Sequence, residues 1–315
     1  MAVFTEVSED DVARFLRGYG LPVPDAVTGI AEGIENTNYK IMAGGTRYIL
    51  TIYEARVNRD DLPYFLGLMD HAAGAGVPTA KPIKTTAGAH LSEINGKAAA
   101  LIEFMPGRPN MTPDPDAAKR AGICLAGFHQ ATEDFALTRP NSMGMPTWRD
   151  LARKAGERFD ELGDGVATEI AAVIADLAQH WPSNCPKATI HADLFPDNLL
   201  LDHGEPSGLI DFYFACTDFL AYDLAMSMNA YTLEDHALDF ANADAVRAGY
   251  ETIRPLTDEE KAALPALLCG SALRIFLTRA VDKLFPPESA VYVGKDPLPW
   301  LRLVRHHHRV MMERP

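Results

Sequence analysis

The residues whose types and spacing could do chemistry together lie at 189–212. There Thr189-Ile190-His191-Ala192-Asp193-Leu194-Phe195-Pro196-Asp197-Asn198 is followed by Leu199-Leu200-Leu201, a polar turn at 202–207, and Gly208-Leu209-Ile210-Asp211-Phe212. The pattern reads as a loop running into a β-hairpin. A hairpin symmetric about Gly204 and Glu205 sets Leu201 against Gly208, Leu199 against Ile210 and Asn198 against Asp211, so two oxygen donors are expected to meet at its open end. One carboxylate and one amide oxygen suit Mg2+, which takes few protein ligands and completes its octahedron with water and substrate phosphates. Asp193, five residues before Asn198, is placed in this reading to accept the proton of an attacking hydroxyl. In-line positioning, charge neutralisation by a metal and a carboxylate that orients the nucleophile are what phosphoryl transfer asks of a protein. Singly, Asp and Asn also populate turns for their own side-chain hydrogen bonds; the joint set is what points to chemistry.

Together these residues resemble the H-x-D-x-x-x-x-N and D-F signatures of the protein-kinase-like superfamily, in its aminoglycoside phosphotransferase and choline kinase branch. The resemblance implies that Asp193 is the catalytic base, that Asn198 and Asp211 are metal ligands, and that His191 is a scaffold residue steadying the loop. Asp223, in Tyr222-Asp223-Leu224-Ala225, matches the branch's buried Asp that braces the catalytic loop, although its local position also suits a helix N-cap. Ala192 stands where regulated protein kinases carry Arg, Tyr213 follows Asp211-Phe212 in place of Gly, and no Ala-Pro-Glu segment lies downstream. A metabolite acceptor is therefore expected, without control by activation-loop phosphorylation.

In the front half, Gly33-Ile34-Glu35-Asn36-Thr37-Asn38-Tyr39 stands where a kinase-like fold places its phosphate-covering loop. With one glycine it departs from G-x-G-x-x-G, so backbone amides with the Asn36, Thr37 and Asn38 side chains are expected at the phosphates. Thr51 occupies the strand position where the superfamily usually supplies a phosphate-binding Lys. Lys40, heavier reliance on Mg2+, or a pseudokinase that binds without turnover would each account for this, and the intact Asp193, Asn198 and Asp211 speak against the last. Both departures, with Asp61-Leu62-Pro63-Tyr64-Phe65, Phe104-Met105-Pro106-Gly107-Arg108, Leu125-Ala126-Gly127-Phe128-His129 and Ile210-Asp211-Phe212-Tyr213-Phe214-Ala215-Cys216, look like the bacterial homoserine kinases of the aminoglycoside-phosphotransferase-like type nearly end to end. That resemblance implies transfer of the ATP γ-phosphate to the side-chain hydroxyl of L-homoserine, with ATP and Mg2+ as cofactors. It sets the adenine against the backbone of residues 103–105, so Glu103 and Met105 join Gly33, Asn36, Thr37 and Asn38 as expected nucleotide-binding residues. Choline, methylthioribose or an aminoglycoside is the alternative acceptor. Residues for the acceptor's amine and carboxylate are not assigned; Asp218 and Arg274 lie in the right half of the chain and equally suit ordinary surface or packing charges.

The elements that must hold these residues read as an α+β, two-lobed protein-kinase-like fold. Residues 1–105 are expected as an N-terminal β-rich nucleotide-binding lobe, mostly strands with one helix at 60–75, and 106–315 as a larger, mainly helical catalytic and substrate lobe. A hairpin is expected from strands at 38–43 and 48–53 around Gly44 and Gly45, and a further strand at 98–104. Helices are expected at 117–130, across Ile170 to Trp181, and at 223–230, 258–284 and 300–312. The charge of −14 and pI near 5.1 argue against a general nucleic-acid binder. No basic leader opens the chain and no uninterrupted apolar run reaches a membrane span, so the expectation is cytoplasmic, with small-molecule partners only. Four scattered cysteines signal buried thiols, not a disulfide frame, and His306, His307 and His308, consecutive on a helix, point in different directions and cannot share one metal.

Overall fold

Along the first hundred residues apolar side chains alternate with polar ones and glycines mark the reversals, which favours antiparallel pairing. In this computed structural model, which describes residues 5–30, 36–54, 57–234, 237–286 and 294–313, the chain opens with helix α1 (Glu9–Arg17). Strands β1 (Ala26–Ile30), β2 (Thr37–Ala43) and β3 (Thr46–Ile52) follow, then helix α2 (Leu62–Gly74) and strands β4 (Ser92–Ile94) and β5 (Lys97–Glu103). The five strands form one antiparallel sheet in the order β1-β2-β3-β5-β4. Gly44 and Gly45 turn β2 into β3 at φ +57° and +77°, the pair of positive values that a tight hairpin turn requires.

Helix α1 corrects the expectation of strands with a single helix. Ser8 Oγ accepts from the Asp11 N–H at 3.2 Å while the Asp11 carboxylate accepts from the Ser8 N–H at 3.0 Å, a reciprocal cap that nucleates a helix. Its Val12, Phe15 and Leu16 pack into the same core as Tyr39, Ile41, Leu50 and Leu101 of the sheet. On α2, Leu62, Phe65, Leu66 and Met69 are buried, the face their spacing predicts.

Beyond β6 (Arg108–Pro109) come α3 (Pro115–Ala131), α4 (Met145–Ala155), α5 (Val166–His180), β7 (Lys187–Ile190), β8 (Leu199–Asp202), β9 (Glu205–Leu209) and β10 (Cys216–Phe219). Helices α6 (Leu220–Thr232), α7 (Phe240–Glu251), α8 (Asp258–Leu284) and α9 (Leu298–Met312) follow. The chain divides into two units. One is Met1–Pro109 with Asp134–Arg139 and Asn198–Tyr213; the other is Asn110–Glu133, Pro140–Asp197 and Phe214–Pro315. The first holds the five-stranded sheet and a second sheet of order β6-β8-β9.

Among its described residues the second unit is mainly helical; its strands are the β7–β10 ladder, in which Cys216 pairs with Ile190, and a short ladder of Leu233–Glu234 with Ala237–Leu238. There α3 and α7 cross at glycines: a Cβ on Gly122 would overlap the Val246 carbonyl, and one on Gly249 the Lys119 carbonyl. The most apolar stretch of α8 is 83% buried, as in a core helix. All four cysteines are free thiols and buried. The three consecutive histidines diverge: His307 bonds Asn229, His308 bonds Asp176, and His306 lies against the Phe240 ring.

Candidate active site

The chain leaves β7 at Ile190, passes the fully buried His191 and reverses at Ala192, whose φ is +61°. Alanine has no side-chain hydrogen bond to stabilise a left-handed backbone, so surrounding groups must hold it. The carboxylate of Asp223 does so: Oδ2 accepts the His191 N–H and Oδ1 the Ala192 N–H, each at 2.7 Å. Asp223 lies inside α6 and caps nothing; the N-cap of that helix is Phe219. The carboxylate is spent on the backbone of this turn and not on a helix cap.

Behind Asp223 runs a relay that the motif does not contain. His129 on α3 donates Nε2–H to Asp223 Oδ2 at 2.9 Å, which leaves its Nδ1 to accept from the Tyr250 hydroxyl at 2.8 Å. Tyr250 in turn accepts from Arg254 at 3.3 Å, and Arg254 pairs with the fully buried Glu260 at 2.9 Å. Burial alone would raise the Asp223 pKa; the hydrogen bonds from His129 and from the His191 N–H outweigh it and hold the carboxyl below the usual Asp value. His129 stands in the sequence as the end of Leu125-Ala126-Gly127-Phe128-His129, but nothing local announces its partner 94 residues on.

Asp193 follows this turn. Its side chain is 17% exposed, and its carboxylate lies 3.7 Å from the guanidinium of Arg274, itself almost wholly buried on α8. A partly exposed carboxylate on a rigid buried turn, beside a cation, can orient a hydroxyl and receive its proton.

The hairpin carries Asn198 and Asp211, and here the register differs from expectation. Leu199 pairs with Leu209, Leu200 with Gly208, Leu201 with Pro206 and Asp202 with Glu205, with a shift between Leu200 and Leu201. The turn is His203-Gly204, at φ +50° and +85°, one residue earlier than the symmetric guess. Ser207 is then the extra residue of a bulge, and its hydroxyl is satisfied by the Pro106 carbonyl at 2.7 Å. Asn198 therefore faces Ile210, whose N–H donates to its carbonyl at 3.0 Å, and Asp211 comes one position later at φ +65°. Both residues remain at the open end of one hairpin; the direct Asn198–Asp211 pairing does not hold. Asn198 is buried and Asp211 exposed.

Of the expected phosphate-loop residues, Gly33 lies outside the described residues. Asn36, Thr37 and Asn38 are engaged within the sheet. Asn36 Oδ1 accepts the Glu54 N–H at 3.3 Å, Thr37 donates to Glu54 at 2.8 Å, and Asn38 Oδ1 accepts the Thr51 hydroxyl at 2.8 Å. Thr51 is buried, so the place of the usual lysine is a packed position. Lys40 lies over the Phe104 ring at 5.7 Å, and Lys97 forms the ion pair with Glu54. The Glu103 N–H is already donated to the Lys81 carbonyl at 2.9 Å, and its side chain is exposed. Met105 packs against Gly208.

Known proteins resemble the chain in sequence and in fold. A model of the phosphotransferase enzyme family matches residues 26–256. The chain is 46% identical to the homoserine kinase of Sinorhizobium fredii NGR234 over 99% of this chain and 96% of the relative. It is 46% identical to the homoserine kinase of Xanthobacter autotrophicus Py2, over 98% and 97%. Among solved structures, a spectinomycin phosphotransferase in complex with ADP and spectinomycin superposes at a TM-score of 0.70 with 13% identity, covering 98% of this chain and 99% of that one. A putative aminoglycoside phosphotransferase of Ralstonia eutropha JMP134 gives 0.69 with 18% identity and 98% of each chain. These two share the fold.

Proposed function

The chain belongs to the phosphotransferase enzyme family, and we propose that it is a homoserine kinase, transferring the γ-phosphate of ATP to the side-chain hydroxyl of L-homoserine. The observation that carries this is 46% identity over nearly the full length of a homoserine kinase, 99% of this chain against 96% of that relative. At the level of fold alone the same architecture serves other acceptors, as the spectinomycin enzyme shows. The β-rich residues 1–105 take the nucleotide, and 106–315 provide the base and the acceptor site.

Asp193 orients the homoserine hydroxyl and receives its proton as the new P–O bond forms. His191 and Asp223 hold the turn that carries it. Asn198 and Asp211 fit Mg2+ by their donor chemistry: one amide oxygen and one carboxylate at one hairpin end, with the Asp211 side chain exposed to solvent and ligand. When bound, Mg2+ neutralises charge on the β- and γ-phosphate oxygens. Gly33, Asn36, Thr37 and Asn38 serve the nucleotide through the loop's backbone amides, the three polar side chains fixing where the loop joins the sheet. Met105 is assigned to the adenine in this reading, and the Glu103 carbonyl, not its committed N–H, is the group that residue can offer.

An acceptor screen tests the reading: ATP- and Mg2+-dependent phosphorylation of L-homoserine is expected, giving O-phospho-L-homoserine. Turnover on choline, methylthioribose or an aminoglycoside with none on homoserine would refute it.

A further inference from the structure

Arg274 lies four residues after Gly270 on α8, hence on the same helical face. Gly270 is itself a contact point: a Cβ there would strike the rings of both Trp148 and Trp181, so this face of α8 is drawn tightly into the unit. The Arg274 side chain is 2% exposed, a rare state for an arginine. Beside the Tyr222 side chain, it meets three groups around the loop. Nη1–H donates to the Ala192 carbonyl, Nη2 lies 3.7 Å from Asp193 Oδ1, and the guanidinium sits over the Phe214 ring at 4.7 Å. Its Nε–H has no hydrogen-bond partner among the described residues.

A buried cation with an unsatisfied N–H is unfavourable for packing alone, where an aliphatic side chain of the same length would serve better. The contacts point instead to the loop. Asp223 already holds the Ala192 N–H; Arg274 holds the Ala192 carbonyl. Both backbone polar groups of the left-handed residue before the base are therefore fixed by side chains of two helices. The same guanidinium reaches on to the carboxylate of the base.

We propose that Arg274 is a positioning residue for phosphoryl transfer, gripping the Ala192 carbonyl and the Asp193 carboxylate together so that the base is kept in one orientation on its left-handed turn. The proposal rests on Asp193 being the base. A planar fork can span the two acceptors, whereas the point charge of lysine cannot.

The test is steady-state kinetics of Arg274→Met and Arg274→Lys with Mg2+-ATP and L-homoserine, with thermal unfolding of each variant and addition of millimolar guanidinium chloride. Arg274→Met should lose about a hundredfold in kcat, the scale of a misplaced catalytic group, with KM for ATP unchanged and a wild-type melting midpoint. Guanidinium should restore its rate saturably, and Arg274→Lys should recover only part. A folded Arg274→Met with wild-type kcat, or a loss confined to KM, would overturn the proposal. So would Arg274→Lys at the wild-type rate, or a loss of kcat that follows a collapsed midpoint and does not respond to guanidinium. The wild-type rate on homoserine belongs to the functional reading: its absence refutes the acceptor, while normal wild-type turnover with an unaffected Arg274→Met refutes the grip alone.

Discussion

Replacing Asp223 by Asn removes one charge and turns one acceptor into a donor, at a fully buried position. Oδ2 accepts from both the His191 N–H and His129 Nε2–H, and Oδ1 from the Ala192 N–H. The better rotamer of Asn keeps its carbonyl at the Oδ2 place and points its amide at the Ala192 N–H, donor against donor. An orphaned buried donor costs about 1–3 kcal/mol, and charge-assisted bonds are worth roughly 1.5–3 kcal/mol each before the change. The total agrees with the roughly 3–5 kcal/mol measured when one member of a buried pair is removed. Asp223→Asn should therefore lower the urea midpoint by about that free energy at an unchanged slope, followed by tryptophan fluorescence. It should also lower kcat more than KM, because the turn bearing Asp193 loses its fixed N–H. A variant less than about 1 kcal/mol below wild type, in the range of ordinary surface substitutions, with normal kcat would refute the claim that this carboxylate holds the turn.

Three further outcomes follow from the same contacts. Asp193→Asn should lower kcat by about 10²–10⁴-fold, the range for a lost general base, and leave the affinity for Mg2+-ATP measured by calorimetry near wild type; equal turnover would remove Asp193 from the chemistry. The depressed pKa of Asp223 means its stabilisation is complete above the unfolded Asp value of about 3.9 and is lost as pH falls through the folded value. Wild-type stability should thus drop below about pH 4 more steeply than that of Asp223→Asn, and parallel acid profiles would contradict the assignment. Gly122→Ala should destabilise by about 1–3 kcal/mol or more through overpacking, since its Cβ meets the Val246 carbonyl at the α3–α7 crossing; an unchanged melting midpoint would show that the crossing relaxes at no cost.

Elements with strong local punctuation were legible. The hairpin around Gly44 and Gly45 is found as β2 and β3, and the helix expected at 258–284 is α8, Asp258–Leu284, begun by a cap at Thr257. Where the sequence offers a count in place of punctuation, the register differs. Symmetry centres the β8–β9 turn on Gly204 and Glu205, but His203 accepts a positive φ and Ser207 forms a bulge, neither of which alternation in Leu199-Leu200-Leu201 can reveal. The residues proposed for chemistry can be read as a set because they lie within 21 residues, 191–211. The loop residues Asn36, Thr37 and Asn38 were legible as polar, yet their side chains bond Glu54 and Thr51, contacts set by the register of the sheet.

What holds Asp193 was not legible for a related reason. Asp223, His129, Tyr250 and Arg274 come from α6, α3, α7 and α8, and each reaches its partner across 31 to 121 residues of chain. No window of sequence contains the brace; only the helix packing does. That makes remote packing positions part of the site's mechanics. The Gly122 and Gly249 contacts set how closely α3 and α7 approach, and that separation fixes whether the Tyr250 hydroxyl reaches His129. His129 in turn supplies the bond that keeps Asp223 ionised against its burial. A left-handed alanine next to Asp193 is a conformation that local sequence does not favour, so in this unit the helices act as the clamp that keeps an otherwise unstable turn in one shape.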